Sequence, residues 1–182
     1  GEKITITNPE TGGNMILALP AFGAVVSNLP FVPFEIIPAD DKDEISQMPF
    51  VDILDGRSDL YCYIATKIAD VIKPEGTLGI IVSNSWLGTN AGIKLMEALK
   101  QEYNIKQVHI SGQGRWFKNA DVVTTILVLE KKKNSNCVDT DFWLWQLSLE
   151  QLAENPDAEN TLVNSALLSS ELDRSVSKLS KY

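Results

Sequence analysis

Thr77-Leu78-Gly79-Ile80-Ile81-Val82-Ser83 is an almost unbroken apolar run, preceded by Lys73-Pro74-Glu75-Gly76 and followed by Asn84-Ser85-Trp86. It is too short for a helix and is closed at both ends by turn residues. That pattern predicts a central parallel strand. Any fold for this chain has to be built around it.

The flanking sequence supplies matching elements. Upstream, Ser58 can cap a helix whose apolar positions Leu60, Tyr61, Ile64, Ala65, Ile68, Val71 and Ile72 keep the three-to-four spacing of one buried face. Downstream, a helix is expected from about Ala91 to Glu102, with Ile93, Met96 and Leu99 inward. Strands are then expected over Ile105 to Ile110 and Val122 to Leu129. An earlier apolar run, Ala24 to Ser27, enters a loop stiffened by Pro30, Pro33 and Pro38. Ile36 to Asp55 has no sustained period and reads as a mobile surface loop.

Strand, helix, strand, helix, strand, strand is the second half of a doubly wound α/β sheet, mixed but mostly parallel, with helices flanking it. The active edge of such a sheet lies at the strand carboxyl ends. Asn28 and Asn84 both fall there.

A length of 182 residues allows one domain with a sizeable core. We expect residues 1–133 to form that partial domain and 134–182, with its Phe142, Trp143 and Trp145 cluster, to be a partly ordered, truncated appendage. No apolar run approaches the ~20 residues of a membrane span. No secretory leader precedes Ile4. Cys62 and Cys137 match neither a disulfide framework nor paired metal-ligand spacing, so both read as reduced cytoplasmic thiols. The net charge of -8 argues against a broad nucleic-acid face on this piece, because phosphate affinity comes mainly from Lys and Arg. A basic DNA-gripping surface would then lie on another part of the parent protein.

Asn28-Leu29-Pro30-Phe31 resembles the signature of amino-group methyltransferases, in which Asn, Asp or Ser precedes a Pro-Pro-aromatic or Ile-Pro-aromatic run. Three further segments follow in order: Ser58-Asp59-Leu60-Tyr61, Leu78 to Leu87, and Gly114-Arg115-Trp116-Phe117-Lys118-Asn119-Ala120-Asp121-Val122. From Ala21 to Lys132 the order and spacing resemble the N6-adenine DNA methyltransferases of restriction-modification systems. Leu29 stands where that family more often has Pro, and Gly23 where it usually has an acidic residue.

The resemblance implies S-adenosylmethionine as cofactor and DNA as partner. An adenine amino nitrogen is a poor nucleophile while its lone pair is delocalised into the ring. An Asn side-chain oxygen and a neighbouring carbonyl that both accept hydrogen bonds from that amino group favour a pyramidal, attacking nitrogen. By resemblance these are Asn28 and the Leu29 carbonyl, with Pro30 keeping Leu29 extended. The target base has to leave the duplex and stack on aromatic rings, a role the resemblance gives to Phe31 and Phe117. Arg115, Trp116 and Lys118 would then contact DNA.

The cofactor's own turn is not found. Gly12-Gly13 reads as a surface turn, and Gly112-Gln113-Gly114 as a turn between strands with no helix after it. The cofactor-binding segment is therefore expected outside this chain. His109, the single histidine, reads as structural, and no metal site is expected. Cys62 and Ser85 read as packing residues, and Lys131 to Lys133 as a solvated run. Two other readings remain open: a non-catalytic scaffold of a larger modification or defence protein, and a methyltransferase acting on protein glutamine or an RNA base.

Overall fold

The computed structural model describes residues 3–54, 56–112, 114–117, 121–134, 139–145, 154 and 175–177. Cys137, Lys118 and most of the chain beyond Trp145 lie outside the described residues.

The Thr77–Ser83 run is the heart of β4 (Ile72–Ser83), as its composition requires. Strand β3 (Phe22–Asn28) pairs with it in parallel, and β6 (Thr124–Lys131) pairs with its other edge antiparallel. Beyond β6 come β5 (Tyr103–Ser111), antiparallel to it, then β7 (Thr140–Trp145), parallel to β5, and the short antiparallel β8 (Ser175–Ser177). The spatial order is β3-β4-β6-β5-β7-β8. Strands β3, β4, β5 and β7 share one direction and the sheet is mixed, as expected, but three of its five pairings are antiparallel. A separate hairpin precedes it, β1 (Lys3–Thr7) with β2 (Asn14–Ala18), turned at Asn8–Gly13.

Burial along β4 alternates. Leu78, Ile80 and Val82 are at most 1% exposed, and Leu127, Leu129 and Val108 of the neighbouring strands are fully buried beside them. This face carries the helices α3 (Leu60–Lys67) and α4 (Asn90–Glu102). Tyr103 Oη donates to the Ala65 carbonyl at 3.3 Å, tying β5 to α3 through the core. On the other face Gly79, Ile81, Ile126 and Val128 are half-buried, and Val26 of β3 is 87% exposed.

Five expectations need correction, the first of them Ile93 of α4, expected inward but 46% exposed. The 36–55 segment is not a structureless loop: it holds α1 (Ala39–Ile45) and α2 (Val51–Leu54), anchored by buried Ile37, Ile45 and Leu54. The N-cap of α3 is Asp59, not Ser58. Ser58 is instead held beneath the helix, its hydroxyl donating to the Leu54 carbonyl at 2.7 Å and its N–H to Tyr63 Oη at 3.2 Å. The same helix stops at Lys67 and tightens into a 3₁₀ turn over Ile68–Val71. Lys73-Pro74-Glu75-Gly76 does not end a helix but forms the kinked entry of β4. Glu75 has φ 65 there, and Gly76 passes so close to Gly23 that an added Cβ would sit 2.9 Å from the Gly23 carbonyl oxygen.

After β4 the chain makes a 3₁₀ turn, Asn84–Trp86, and enters α4. Thr89 caps α4, its hydroxyl oxygen accepting the Gly92 N–H at 3.1 Å. Gly92 lies against the turn itself: a Cβ there would stand 1.7 Å from the Trp86 carbonyl oxygen. Backbone cannot yield as a side chain can, so Gly92→Ala is expected to cost about 3 kcal/mol or more, the upper end of overpacking penalties. Denaturant unfolding of the variant beside the wild type measures it.

Candidate active site at the carboxyl edge of the sheet

β3 and β4 are parallel, so both end at one sheet edge: Asn28 pairs with Ile81, and Ser83 follows two residues on. β6 begins at the same edge, with Thr124 opposite Ser83. The β5–β6 connection, which contains Arg115, Trp116 and Phe117, is therefore delivered there as well. The three segments singled out in the sequence converge through strand order alone.

Asn28 is exposed at the last position of β3, with its side chain accessible above the edge. Leu29 is 4% exposed, and its N–H donates to the Ile81 carbonyl at 3.4 Å, extending the parallel ladder by one step. Pro30 is exposed. Phe31 is partly buried, its ring meeting Tyr61 edge to face at a centroid distance of 6.4 Å and 88°. Phe117 is 37% exposed and Trp116 half-buried. Arg115 is exposed and pairs with Asp121 at 3.1 Å. Gly114, with φ 87, turns the chain into this segment.

Sequence reasoning missed how the Asn28–Phe31 segment is held. Leu60 N–H donates to the Val32 carbonyl at 3.0 Å. Tyr61 is 2% exposed and lines one small cavity together with Ser85. Ser85 is bound in turn by the Ser83 hydroxyl at 3.0 Å. Trp86 Nε1 donates to Thr125 Oγ1 at 3.0 Å, joining the same turn to β6. The available signal was Asp59-Leu60-Tyr61 itself, which reads in sequence only as the start of a helix.

Electrostatics divide these groups. Burial, with the Glu35 charge nearby, raises the Asp59 carboxyl above its usual range despite the Phe34 N–H. Burial also raises the Tyr61 hydroxyl, and pushes the Cys62 thiol up to about 12, which leaves that thiol protonated and inert. A cavity of about 90 Å³ lies between the head of α3 and the 84–86 turn, lined by Arg57, Asp59, Tyr61, Ser85 and Trp86.

No cluster among the described residues could hold a metal ion. The described residues do not fit the cradle of a nucleotide-type cofactor either. Gly12 turns the β1–β2 hairpin, and Gly112 and Gly114 lie between β5 and β6, so neither glycine pair opens a helix. The lysine run is taken up inside the chain: Lys131 pairs with Glu102, Lys132 donates to the Lys100 carbonyl, and Lys133 meets Glu75 at 3.0 Å.

His109 lies between Trp143 and Trp145, at 5.7 and 5.9 Å, and its Nδ1 accepts the Trp145 indole N–H at 3.0 Å. Burial lowers its pKa to about 4. A histidine kept neutral in the fold but free to protonate when unfolded stabilises fully above its ordinary pKa of about 6.5, and that stability is lost as pH falls toward 4. Between about pH 6.5 and pH 4 the denaturation midpoint of the wild type is expected to fall more steeply than that of His109→Gln.

The chain was compared with known proteins. Residues 14–117, more than half of the chain, match the model of the Eco57I restriction-modification methylase family. Among curated proteins, the type II methyltransferase M.BanIII of Aneurinibacillus aneurinilyticus is 28% identical over 116 residues, which is 64% of this chain but 19% of that protein. Among solved structures, a Listeria monocytogenes protein described as a class I S-adenosylmethionine-dependent methyltransferase superposes with a TM-score of 0.59 at 19% identity, covering 82% of this chain and 43% of its own. The ATP-dependent type ISP restriction-modification enzyme LlaBIII, solved bound to DNA, gives a TM-score of 0.54 at 16% identity, covering 84% of this chain and 12% of its own. At those identities the structural likenesses establish the fold. The chain spans less than half the length of each of these relatives.

Proposed function

The chain belongs to the Eco57I restriction-modification methylase family, and from that premise we propose that it is the catalytic-side portion of an enzyme that methylates the N6 amino group of adenine in DNA, with S-adenosylmethionine as donor. The observation that carries this reading is the convergence of Asn28-Leu29-Pro30-Phe31 with the Phe117 segment at one sheet edge, with Asn28 and Phe117 both exposed. In it, Asn28 Oδ1 and the Leu29 carbonyl accept hydrogen bonds from the amino group of a base taken out of the duplex. Withdrawing those hydrogens from the ring plane localises the nitrogen lone pair for attack on a methyl group. Phe31 and Phe117 stack on the base, and Pro30 fixes the Leu29 backbone. Arg115, Trp116 and Lys118 are the residues that meet the DNA in this reading.

The donor is held by other parts of the parent, and residues 1–133 serve as the partial catalytic domain, with 134–182 as an appendage whose strands β7 and β8 extend the same sheet. A neighbour solved on DNA supports the choice of substrate, and the two isolated cysteines suit a cytoplasmic enzyme. The acidic balance of this piece leaves the main grip on phosphates to the rest of the parent.

The test is methyl transfer from labelled S-adenosylmethionine by the intact parent to unmethylated duplex DNA, followed by digestion and mass analysis of the nucleosides. N6-methyladenine is the expected product. N4-methylcytosine, or label in protein or RNA instead, would replace the adenine assignment. Asn28→Ala in the parent is expected to lower transfer by about a hundredfold or more while S-adenosylmethionine binding, followed calorimetrically, stays unchanged. Undiminished transfer would remove Asn28 from the mechanism.

A further inference from the structure

The β5–β6 connection carries Phe117 to the candidate site, and it is held at both stems by backbone. Gly112 N–H donates to the Trp145 carbonyl and Asn84 N–H to the Val123 carbonyl, each at 2.8 Å. Between those stems the sequence places three charges, Arg115, Lys118 and Asp121. Arg115 Nη1 donates to Asp121 Oδ1 at 3.1 Å, joining two residues that flank Phe117 in the chain. The pair stands in water, with the Arg115 side chain 52% exposed and the Asp121 side chain 100% exposed. An ion pair so exposed contributes little to stability, and backbone bonds already fix the stems. Its effect is electrostatic and local: it neutralises one of the two cations in the segment that the reading above brings to DNA.

We propose that Asp121 is an internal stand-in for a DNA phosphate on Arg115: it occupies the guanidinium while the protein is free and yields it to the backbone of bound DNA. This rests on the reading above that Arg115 meets DNA. A guanidinium presents a planar fork of donors that suits carboxylate and phosphate oxygens alike, so the two anions compete for the same N–H groups. Tethered six positions away, the carboxylate faces Arg115 at an effective concentration on the order of millimolar. A dilute free anion does not overcome that. A duplex held by other parts of the parent does, because it brings a dense row of phosphates to the same place. The exchange asks little of the fold, since the carboxylate it releases is already in solvent. On a chain of net charge -8 the contact thus withholds a cation from stray anions and gives it up to DNA.

The experiment uses the intact parent protein carrying Asp121→Asn, Arg115→Gln or both, with a labelled duplex DNA of mixed sequence as the probe. Three quantities are read: the dissociation constant by fluorescence anisotropy over a salt series, KM for DNA in methyl transfer, and the melting temperature. Asp121→Asn is expected to tighten binding by about two- to fivefold at low salt, an advantage that shrinks as salt screens the pair. Arg115→Gln is expected to weaken binding and to reduce the slope of log affinity against log salt by about 1. In the double variant the gain from Asp121→Asn should vanish, because no guanidinium remains to be released. KM for DNA should follow the same order, and the melting temperatures should match the wild type.

Equal tightening by Asp121→Asn with and without Arg115 overturns the proposal, because the carboxylate then acts only as one more negative charge near DNA. So does an Asp121→Asn variant that binds no tighter than the wild type, or one whose melting temperature falls, which marks the pair as structural. A wild-type parent that neither binds the duplex nor methylates it refutes the DNA reading, and the exchange falls with it. A wild type that binds and methylates while its variants show no coupling refutes the exchange alone.

Discussion

Strand β4 carries hydrogen-bond ladders on both edges, and everything placed at the candidate site is placed by them. The parallel ladder to β3 sets where Asn28 stops, opposite Ile81. The antiparallel ladder to β6 sets where the β5–β6 connection re-enters, with Thr124 opposite Ser83. Because side chains alternate along a strand, a slip of one residue in either ladder would turn Leu78, Ile80 and Val82 out of the core they share with Leu127 and Leu129. Register, and hence the height at which the site residues leave the sheet, is therefore enforced by hydrophobic burial rather than by any contact within the site.

Much of this was legible because burial writes a period into the residues. The apolar run of β4, the Asn90–Glu102 helix and the strands on either side of Phe117 all lie where pattern placed them, within a few residues. Elements that the pattern did not reveal lack a period long enough to read. α1 is seven residues of mainly acidic sequence and α2 is four, each contributing one buried side chain, Ile45 and Leu54. The entry of β4 was hidden for another reason. Lys73-Pro74-Glu75-Gly76 has the composition of a turn, and only the closeness of Gly76 to the Gly23 carbonyl shows that it is a bent strand.

The site divides in the same way. Asn28-Leu29-Pro30-Phe31 could be singled out because its residue types, in that order, suit the chemistry of an amino group, and the strand carboxyl ends could be named from topology. What holds the segment could not be read, because it runs between residues about thirty apart in the chain through a backbone hydrogen bond and an aromatic edge. Nothing in the composition of Leu60-Tyr61 distinguishes these two contacts from those of an ordinary helix start. Charge is a parallel case. Lys131, Lys132 and Lys133 read as a solvated run, yet the fold pairs them with Glu102, the Lys100 carbonyl and Glu75. A basic run in sequence is available to a partner only if the fold leaves its charges unsatisfied.

One mismatch between sequence and fold bears on the parent protein. A near-continuous apolar strand is the mark of a sheet covered on both faces. In the described residues α3 and α4 cover one face, while on the other Ile81, Ile126 and Val128 are half-buried and Val26 is 87% exposed. The β1–β2 hairpin adds Met15 at 53% and Ile16 at 68% exposure. Apolar side chains on an otherwise charged, acidic chain are not left in water without cause, and patches of this kind mark surfaces that something else covers. The relatives are several times longer, with this chain spanning 19% of one and 12% of another, so covering mass is available in proteins of this kind. The β3 edge and the half-buried face are where further layers of such a sheet would pack.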